Sequence, residues 1–186
     1  MVVGPIVVTG DLALYQGGDA QSLINQATAL VRRYCGWHVT PSMTETVTLD
    51  GSGNGTQILP SLHVSAIASV TYEGTLLAAV DYSWSPVGVV EYVPGGPYFT
   101  NAYRWSTGLG KVVVVMTHGF DDAPDLAGVV MAIASRAQAS PNGVVRTQAG
   151  PFSETYSQTG FNVAGGVSMV DHEKDILNRY RLAPRP

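Results

Sequence analysis

Charge and cysteine are the scarcest features of this 186-residue sequence. Only 13% of the residues are Asp, Glu, Lys or Arg, whereas 45% are hydrophobic; the usual charged share is about 25%. A surface poor in charge is typical of a subunit covered by other subunits, since interface cores are depleted of charged residues. A surface rich in Ser, Thr, Asn and Gln is the alternative. The only cysteine, Cys35, excludes an internal disulfide and a cysteine-based zinc site.

Long apolar runs are also missing. The longest, Val112–Met116, is far shorter than the ~20 residues of a membrane helix. The first ten residues have neither the basic region nor the long apolar region of a signal peptide. We therefore expect a soluble protein without a membrane partner. The formal net charge of −4 argues against a general nucleic-acid binder, whose domain usually carries a basic face.

No group of residues indicates catalysis or a cofactor. The histidines are scattered, and no G-x-S-x-G, Walker or GxGxxG motif is present. Residues 50–55 have the donor spacing of a calcium loop, but Ser61 stands where that loop needs a glutamate. His118 lies near acids at 121, 122 and 125, which a helix N-terminus attracts without any metal. We therefore predict a non-enzymatic protein with no catalytic residues, no metal site and no cofactor.

Two amphipathic helices are predicted, at residues 19–35 and 124–139. The apolar stripe of the first comprises Leu23, Ala27, Leu30, Val31 and Tyr34. Gly36 is a typical helix stop, and Pro124 suits the first turn of the second helix. Each stripe is wide enough to pack against another element, so we expect the two helices to pack together.

The residues between these helices, 40–117, are β-rich because they alternate and contain many β-branched side chains. Lys111–Thr117 is apolar at consecutive positions, as expected of a strand covered on both faces. Residues 144–167 have no clear periodicity, and a last helix is predicted at about Met169–Arg181, followed by a basic tail.

This order of elements predicts an α+β fold. Its helical core consists of two long helices plus a C-terminal helix, with a β-rich insertion between the first two helices. Residues 1–143 are predicted to form a single domain, and residues 144–186 a flexible segment with the C-terminal helix and basic tail.

Two groups of residues are candidates for binding a partner. The aromatic loop contains Tyr98, Phe99, Tyr103 and Trp105. It is either a recognition surface, since aromatic residues anchor interfaces, or a hydrophobic cluster that closes a hairpin. The C-terminal group is Arg179, Tyr180, Arg181 and Arg185. It is either a solvated tail or a segment that docks into an acidic groove of a partner.

Several short segments carry a resemblance to a known family. They are Ala27-Thr-Ala-Leu-Val-Arg-Arg-Tyr-Cys-Gly-Trp-His-Val39, Leu49-Asp-Gly, Leu59-Pro, Val70-Thr-Tyr-Glu-Gly74, Asp81-Tyr-Ser-Trp84, Thr117-His-Gly-Phe-Asp-Asp-Ala-Pro-Asp-Leu126 and Gly150-Pro-Phe-Ser-Glu-Thr-Tyr156. In order and spacing they resemble the head-to-tail connector (adaptor) proteins of tailed bacteriophages, especially those of actinobacterial hosts. The resemblance covers about residues 11–182. The loop at residues 95–105 is longer and more aromatic than the family pattern.

The resemblance implies a structural virion protein that is assembled in the host cytoplasm and located in the neck between capsid and tail. Proteins of this family form a homo-oligomeric ring, commonly a dodecamer, beneath the portal vertex. The ring binds the portal protein and the next connector or tail protein, and it extends the channel for packaged double-stranded DNA, which passes without sequence-specific binding. The C-terminal group of arginines would then reach the portal. Channel-lining acids would be Asp121, Asp122 and Glu154, since negative charge repels phosphates.

Two alternatives stay open on the sequence. One is another ring-forming neck protein, a stopper or a tail terminator, which are usually more β-dominated. The other is a ligand- or carbohydrate-binding module that uses the aromatic loop.

Overall fold

The computed structural model describes residues 20–95, 103–139, 146–149, 152–155, 158–160, 163–164 and 167–183, the short pieces between 146 and 164 by their backbone alone. The chain divides into two compact units. The helical unit runs to His38 and resumes at Ala123, and the sandwich unit is Val39–Asp122. Within the described ranges, every helix is too short or too polar to span a bilayer.

The elements follow each other in chain order. They are α1 (Ala20–Cys35), β1 (Met43–Ser52), β2 (Thr56–Ile58), β3 (Val64–Tyr72), β4 (Thr75–Leu76), β5 (Tyr82–Ser85), β6 (Val89–Tyr92), β7 (Thr107–His118), α2 (Pro124–Ala139), β8 (Arg146–Ala149), β9 (Phe152–Thr155), β10 (Gln158–Gly160), β11 (Val163–Ala164) and α3 (Asp171–Leu177), which continues into a 3-10 turn at Asn178–Tyr180.

The sandwich unit consists of two antiparallel sheets. The four-stranded sheet has the order β1-β7-β3-β4, and the three-stranded sheet has the order β2-β6-β5. In the first, Val114 of the central strand β7 lies opposite Val47 of β1 and Val70 of β3. Because side chains alternate along a strand, this register places one apolar row of each strand on the same inner face.

The inner faces of the two sheets share one hydrophobic core. Its fully or almost fully buried members are Leu49, Leu59, Val64, Val70, Val90, Trp105, Val112, Val114 and Met116. These residues come from both sheets and from the segment that leads into β7. Sheets that pack in this way lie about 10 Å apart, with their side chains interdigitated. The sandwich unit therefore has a core that does not depend on the helices.

A tight hairpin joins β5 and β6 at Gly88. The backbone there has a φ of +82°, and a Cβ at this position would lie 2.1 Å from the carbonyl oxygen of Ser61. The amide of Leu59 also donates a hydrogen bond of 2.8 Å to the Gly88 carbonyl. Only glycine meets both the conformation and the close approach.

The helical unit is formed by α1 packed against α2, with α3 against both. The residues of α1 that are buried are Ile24, Ala27, Thr28, Val31 and Cys35. The buried face is thus rotated from the predicted stripe, since Thr28 is buried whereas Leu23 and Leu30 are partly exposed. Small side chains on this face allow close approach of the two helices.

The predicted fold class, a core of two long helices with a β insertion, is wrong. The described residues form a sheet-rich structure, with seven strands in the two antiparallel sheets of the sandwich unit, two further strand pairs and three α-helices. The helices α1 and α2 have 16 residues each and α3 has 7, whereas the strands enclose a core of their own. The prediction overvalued helices because their apolar period is continuous in sequence, while the β core is assembled from short, distant strands.

Two further features differ from the expectations. The segment without clear periodicity contains two antiparallel strand pairs, β8 with β9 and β10 with β11. The strand β7 is not covered on both faces: Val112, Val114 and Met116 are buried, but Val113 and Val115 on the other face are partly exposed.

Candidate functional site

The C-terminal segment is fixed to the helical unit by a buried ion pair. Arg136 of α2 pairs with Glu173 of α3, and their side chains are only 15% and 6% exposed. Arg136 also donates a hydrogen bond of 2.8 Å to the carbonyl of Ser168. The second carboxylate oxygen of Glu173 accepts a 2.9 Å hydrogen bond from the amide of Val170 at the start of α3. Both charges are therefore satisfied by several partners, as burial requires.

Tyr180, one of the predicted portal-binding residues, is held at the end of this segment. Its hydroxyl lies 2.9 and 2.8 Å from the two carboxylate oxygens of Asp125, at the start of α2. Its carbonyl accepts a 2.7 Å hydrogen bond from the indole nitrogen of Trp37. Burial, and then the neighbouring Asp125 carboxylate, raise the pKa of Tyr180 to about 12. The phenol is therefore protonated at neutral pH and serves as a donor.

Two of the predicted arginines flank Tyr180 in the chain. Arg179 is 71% exposed and its guanidinium lies 4.0 Å from Asp125. The guanidinium of Arg181 lies 5.2 Å from the ring centre of Tyr34, a cation–π distance. Arg179 and Arg181 are thus both exposed, each beside a different residue of the helical unit, whereas Arg185 lies outside the described residues.

A backbone hydrogen bond also attaches the C-terminal segment to α1 at the residue that follows Arg181. The amide of Leu182 donates a 2.8 Å hydrogen bond to the carbonyl of Cys35 at the end of α1. The Cys35 side chain is fully buried, and burial raises the pKa of its thiol to about 11. Cys35 is therefore a packing residue rather than a nucleophile.

The aromatic loop is divided by the fold. Trp105 is fully buried in the sandwich core, edge-on to Tyr72 and tilted against Tyr92. Tyr103 is 43% exposed and contacts the edge of Tyr92. Tyr98 and Phe99 lie outside the described residues. Of the two described aromatics, Tyr103 alone presents surface to a partner.

The acids predicted to line a channel lie at two places in the chain. Asp121 and Asp122 are exposed at the end of the sandwich unit. Glu154 belongs to strand β9, but its side chain lies outside the described part of the structure.

The loop with calcium-like spacing is closed by its own hydrogen bonds. Asp50 accepts a 2.8 Å hydrogen bond from the amide of Gly110, and Gln57 accepts one of 3.1 Å from the amide of Ser52. These contacts link the loop to β7 and to β2. Among the described residues no cluster of three His, Cys, Asp or Glu has the arrangement of a metal site.

The outer face of the four-stranded sheet is an uncharged surface of the sandwich unit. Its rows are set by the register, in which each β7 residue lies between one of β1 and one of β3. The nine residues are Thr44, Thr46 and Thr48 of β1, Val113, Val115 and Thr117 of β7, and Ala66, Ser69 and Thr71 of β3. All are exposed or partly exposed. We call this surface the threonine face.

Comparison with known proteins rests on structure alone, since no protein-family model and no curated protein matches the sequence. A chain of the neck of a native GTA particle, computed with C12 symmetry, matches with a TM-score of 0.57 and 15% identity, over 100% of this chain and 98% of that chain. A chain from the neck of an empty GTA particle, computed with C6 symmetry, matches with a TM-score of 0.53 and 16% identity, over 91% and 82%. A chain of the virion of a native gene transfer agent particle gives a TM-score of 0.50 and 17% identity, over 92% and 82%.

The chain has the fold of these particle chains. At such identities the likeness concerns the fold alone, and it covers both the helical and the sandwich unit, since the match to the first neck chain extends over the whole of this chain.

Sequence reasoning missed the residues that attach the C-terminal segment. Arg136 and Glu173 are 37 positions apart, and Trp37 and Tyr180 are 143 apart, so no local pattern connects them. The available signal was a Glu three residues after the helix start, which is the spacing of a capping box. The last helix was predicted to begin at about Met169, whereas the structure begins α3 at Asp171 with Val170 before it.

His118 is expected to make the stability of the sandwich unit depend on pH. Its side chain is 1% exposed, with its Nε2 2.8 Å from the carboxylate of Glu45, and burial lowers its pKa to about 4. In the unfolded chain a histidine takes up its proton near pH 6.5. Because the unfolded state binds more protons, we expect stability to be complete above pH 6.5 and to fall by about 3 kcal/mol as the pH is lowered to 4. The loss then levels off.

This dependence is measurable by NMR titration of the imidazole together with urea unfolding at pH 7 and pH 4.5. A His118 signal that titrates near the ordinary histidine pKa of about 6.5 would contradict the expectation.

Proposed function

We propose that this chain is a ring-forming structural protein of the neck of a phage-like particle, a head-to-tail connector (adaptor) of the type found in phages of actinobacterial hosts. The observation that carries the proposal is the end-to-end structural match to a chain of a particle neck computed with twelvefold symmetry. In this role the ring joins the portal vertex to the tail or to the next connector protein and extends the DNA channel. Its role is structural and involves no catalysis.

The charge distribution supports a subunit that is surrounded by neighbours. Only 13% of the residues are charged, and the threonine face carries no charge at all. A closed ring requires a heterologous contact in which two different surfaces of each subunit meet. Uncharged surfaces suit such contacts because their burial does not strip water from ions.

The portal contact is assigned to Arg179 and Arg181. Both guanidinium groups are exposed on a segment whose backbone is tied to Trp37 and Cys35. Fixed arginines lose little conformational entropy on binding carboxylates, so they suit an acidic surface of a partner. The exposed Asp121 and Asp122 are assigned to the channel, where negative charge repels DNA phosphates and keeps the duplex from adhering.

A second candidate is another ring-forming neck protein, a stopper or a tail terminator. The observation that favours it is the sheet-rich sandwich with its own core, because proteins of these two kinds are expected to be more β-dominated. No comparable observation favours a carbohydrate-binding module, since Trp105 is buried.

The test is the mass of the purified chain alone and mixed with the portal protein of the same particle. A connector is expected to form one ring on each portal. Arg179→Glu combined with Arg181→Glu should weaken this binding at least about tenfold, while Arg104→Glu, an exposed arginine of the sandwich unit, should not.

The alternatives give different results in the same assay. Binding to a tail or connector protein but not to portal would favour the second candidate. A chain that stays monomeric with both partners would refute a ring-forming neck protein.

A further inference from the structure

Tyr180 lies between Arg179 and Arg181 and connects the C-terminal segment to two other parts of the helical unit. Its hydroxyl donates to the Asp125 carboxylate at the start of α2, with distances of 2.9 and 2.8 Å to the two oxygens. Its carbonyl accepts a 2.7 Å hydrogen bond from the indole nitrogen of Trp37, which follows α1. Both the side chain and the backbone of Tyr180 are therefore held in place.

The residues on the outer sides of the two arginines are held as well. Asn178, which precedes Arg179, accepts a 2.7 Å hydrogen bond from the hydroxyl of Tyr34. The amide of Arg181 donates a 3.3 Å hydrogen bond to the Asn178 carbonyl and closes the 3-10 turn. The amide of Leu182 is bonded to the end of α1. Each arginine thus has a tethered residue on both sides, and its backbone position is set before any partner binds.

Order that is already present in the free chain favours binding through the exposed arginines. A segment that becomes ordered only on binding loses conformational entropy at that step, and its affinity is lower by that amount. In this chain the backbone entropy of the segment is lost during folding. A guanidinium whose backbone is fixed can meet both oxygens of a carboxylate with a smaller loss of freedom.

We propose that Tyr180 is a positioning residue for the portal contact, and that its bonds to Asp125 and Trp37 hold Arg179 and Arg181 in the arrangement that binds carboxylates of the portal protein. This inference rests on the proposed function, in which the two arginines bind an acidic surface of the portal. The phenol contacts Asp125 and acts on the partner only through the neighbouring arginines. It therefore prolongs the bound state and does not speed the encounter.

Tyr180→Phe separates positioning from charge. The substitution removes the hydroxyl that is bonded to Asp125 and leaves the ring, both arginines and the net charge unchanged. We expect dissociation from immobilised portal protein, followed by surface plasmon resonance, to become about fivefold faster. The association rate constant and its dependence on salt concentration should stay within about twofold of the native values, because long-range attraction depends on charge.

Two other variants define the meaning of this result. Arg179→Glu combined with Arg181→Glu should slow association and reduce its dependence on salt, since it reverses the charges that attract the portal. Tyr82→Phe is the matched control, because it removes a phenolic hydroxyl from a tyrosine that is also partly buried but belongs to the sandwich unit. Both of its rate constants should equal those of the native chain.

A general loss of stability would give a different pattern from loss of positioning. Partial unfolding lowers the fraction of chains that can bind, so it lowers the apparent association rate and leaves the dissociation rate unchanged. In the free chain, Tyr180→Phe should speed hydrogen exchange of the amides of Arg181 and Leu182 and leave the exchange of α2 unchanged. Adding Tyr180→Phe to Asp125→Ala should accelerate dissociation no further than Asp125→Ala alone, because the hydroxyl acts through that carboxylate.

The outcomes separate this inference from the proposed function. If the native chain binds portal, the double arginine variant does not, and Tyr180→Phe dissociates at the native rate, only the inference fails. It also fails if Tyr82→Phe accelerates dissociation equally, or if the effects of Tyr180→Phe and Asp125→Ala add. If the native chain does not bind portal, or if the double arginine variant binds as the native chain does, the proposed portal contact fails first.

Discussion

Replacing Arg136 with methionine is expected to lower the free energy of unfolding by about 3 kcal/mol. We expect α3 to detach from the other helices of the helical unit as a result. The substitution leaves the carboxylate of Glu173, which is 6% exposed, without its cation. It also removes the 2.8 Å hydrogen bond to the Ser168 carbonyl. Urea unfolding followed by circular dichroism measures the loss, and hydrogen exchange of residues 171–177 locates it.

The neighbouring ion pair of α3 is the control. Lys174 and Asp171 are 2.8 Å apart, but their side chains are 41% and 95% exposed. Lys174→Met should therefore have a much smaller effect on the free energy of unfolding than Arg136→Met. The double variant Arg136→Met with Glu173→Leu should recover much of the loss, since no unpaired charge remains buried. Equal effects of Arg136→Met and Lys174→Met would show that burial of the pair does not matter.

Replacing Trp105 with alanine is expected to destabilise the sandwich unit by about 4 kcal/mol. The indole is fully buried and lies at the centre of an aromatic cluster, with ring centres 5.1 Å from Tyr72 and 5.2 Å from Tyr92. Its removal leaves a cavity between the two sheets that no neighbouring side chain fills. Thermal and urea unfolding followed by near-ultraviolet circular dichroism measure the effect.

Trp84 provides the comparison for this substitution. It lies in the same unit on the edge strand β5 and is 38% exposed. Because much of its surface already faces water, Trp84→Ala should cost clearly less than Trp105→Ala. A larger loss at Trp84 would place the centre of the sandwich core at the edge strand, contrary to the burial described above.

The helices could be predicted from the sequence because each is defined by a pattern of neighbouring residues. The structure has α1 at Ala20–Cys35 and α2 at Pro124–Ala139, where a period of 3.6 and helix-end residues predict helices. Which face of α1 is buried was harder to predict. Hydrophobicity favoured Leu23 and Leu30, but close helix packing buries the smaller Thr28.

The order of the strands in the sheets could not be predicted from the sequence because it depends on pairing between distant segments. Strand β7 pairs with residues of β1 and β3 that lie at least 40 positions earlier, and the order of pairing is not encoded in any one segment. The exposed faces of the strands could not be predicted for the same reason. Alternation in Thr44–Leu49 predicted a strand but not which of its faces the core would take.

The buried position of Cys35 has a practical consequence for every labelling experiment on this chain. Since the pKa of its thiol is raised to about 11, only about one molecule in ten thousand carries the thiolate at pH 7. A maleimide dye will therefore react with a cysteine introduced at a solvent-facing position and leave the native thiol unmodified. Energy-transfer pairs can thus be attached to the chain without first removing its natural cysteine.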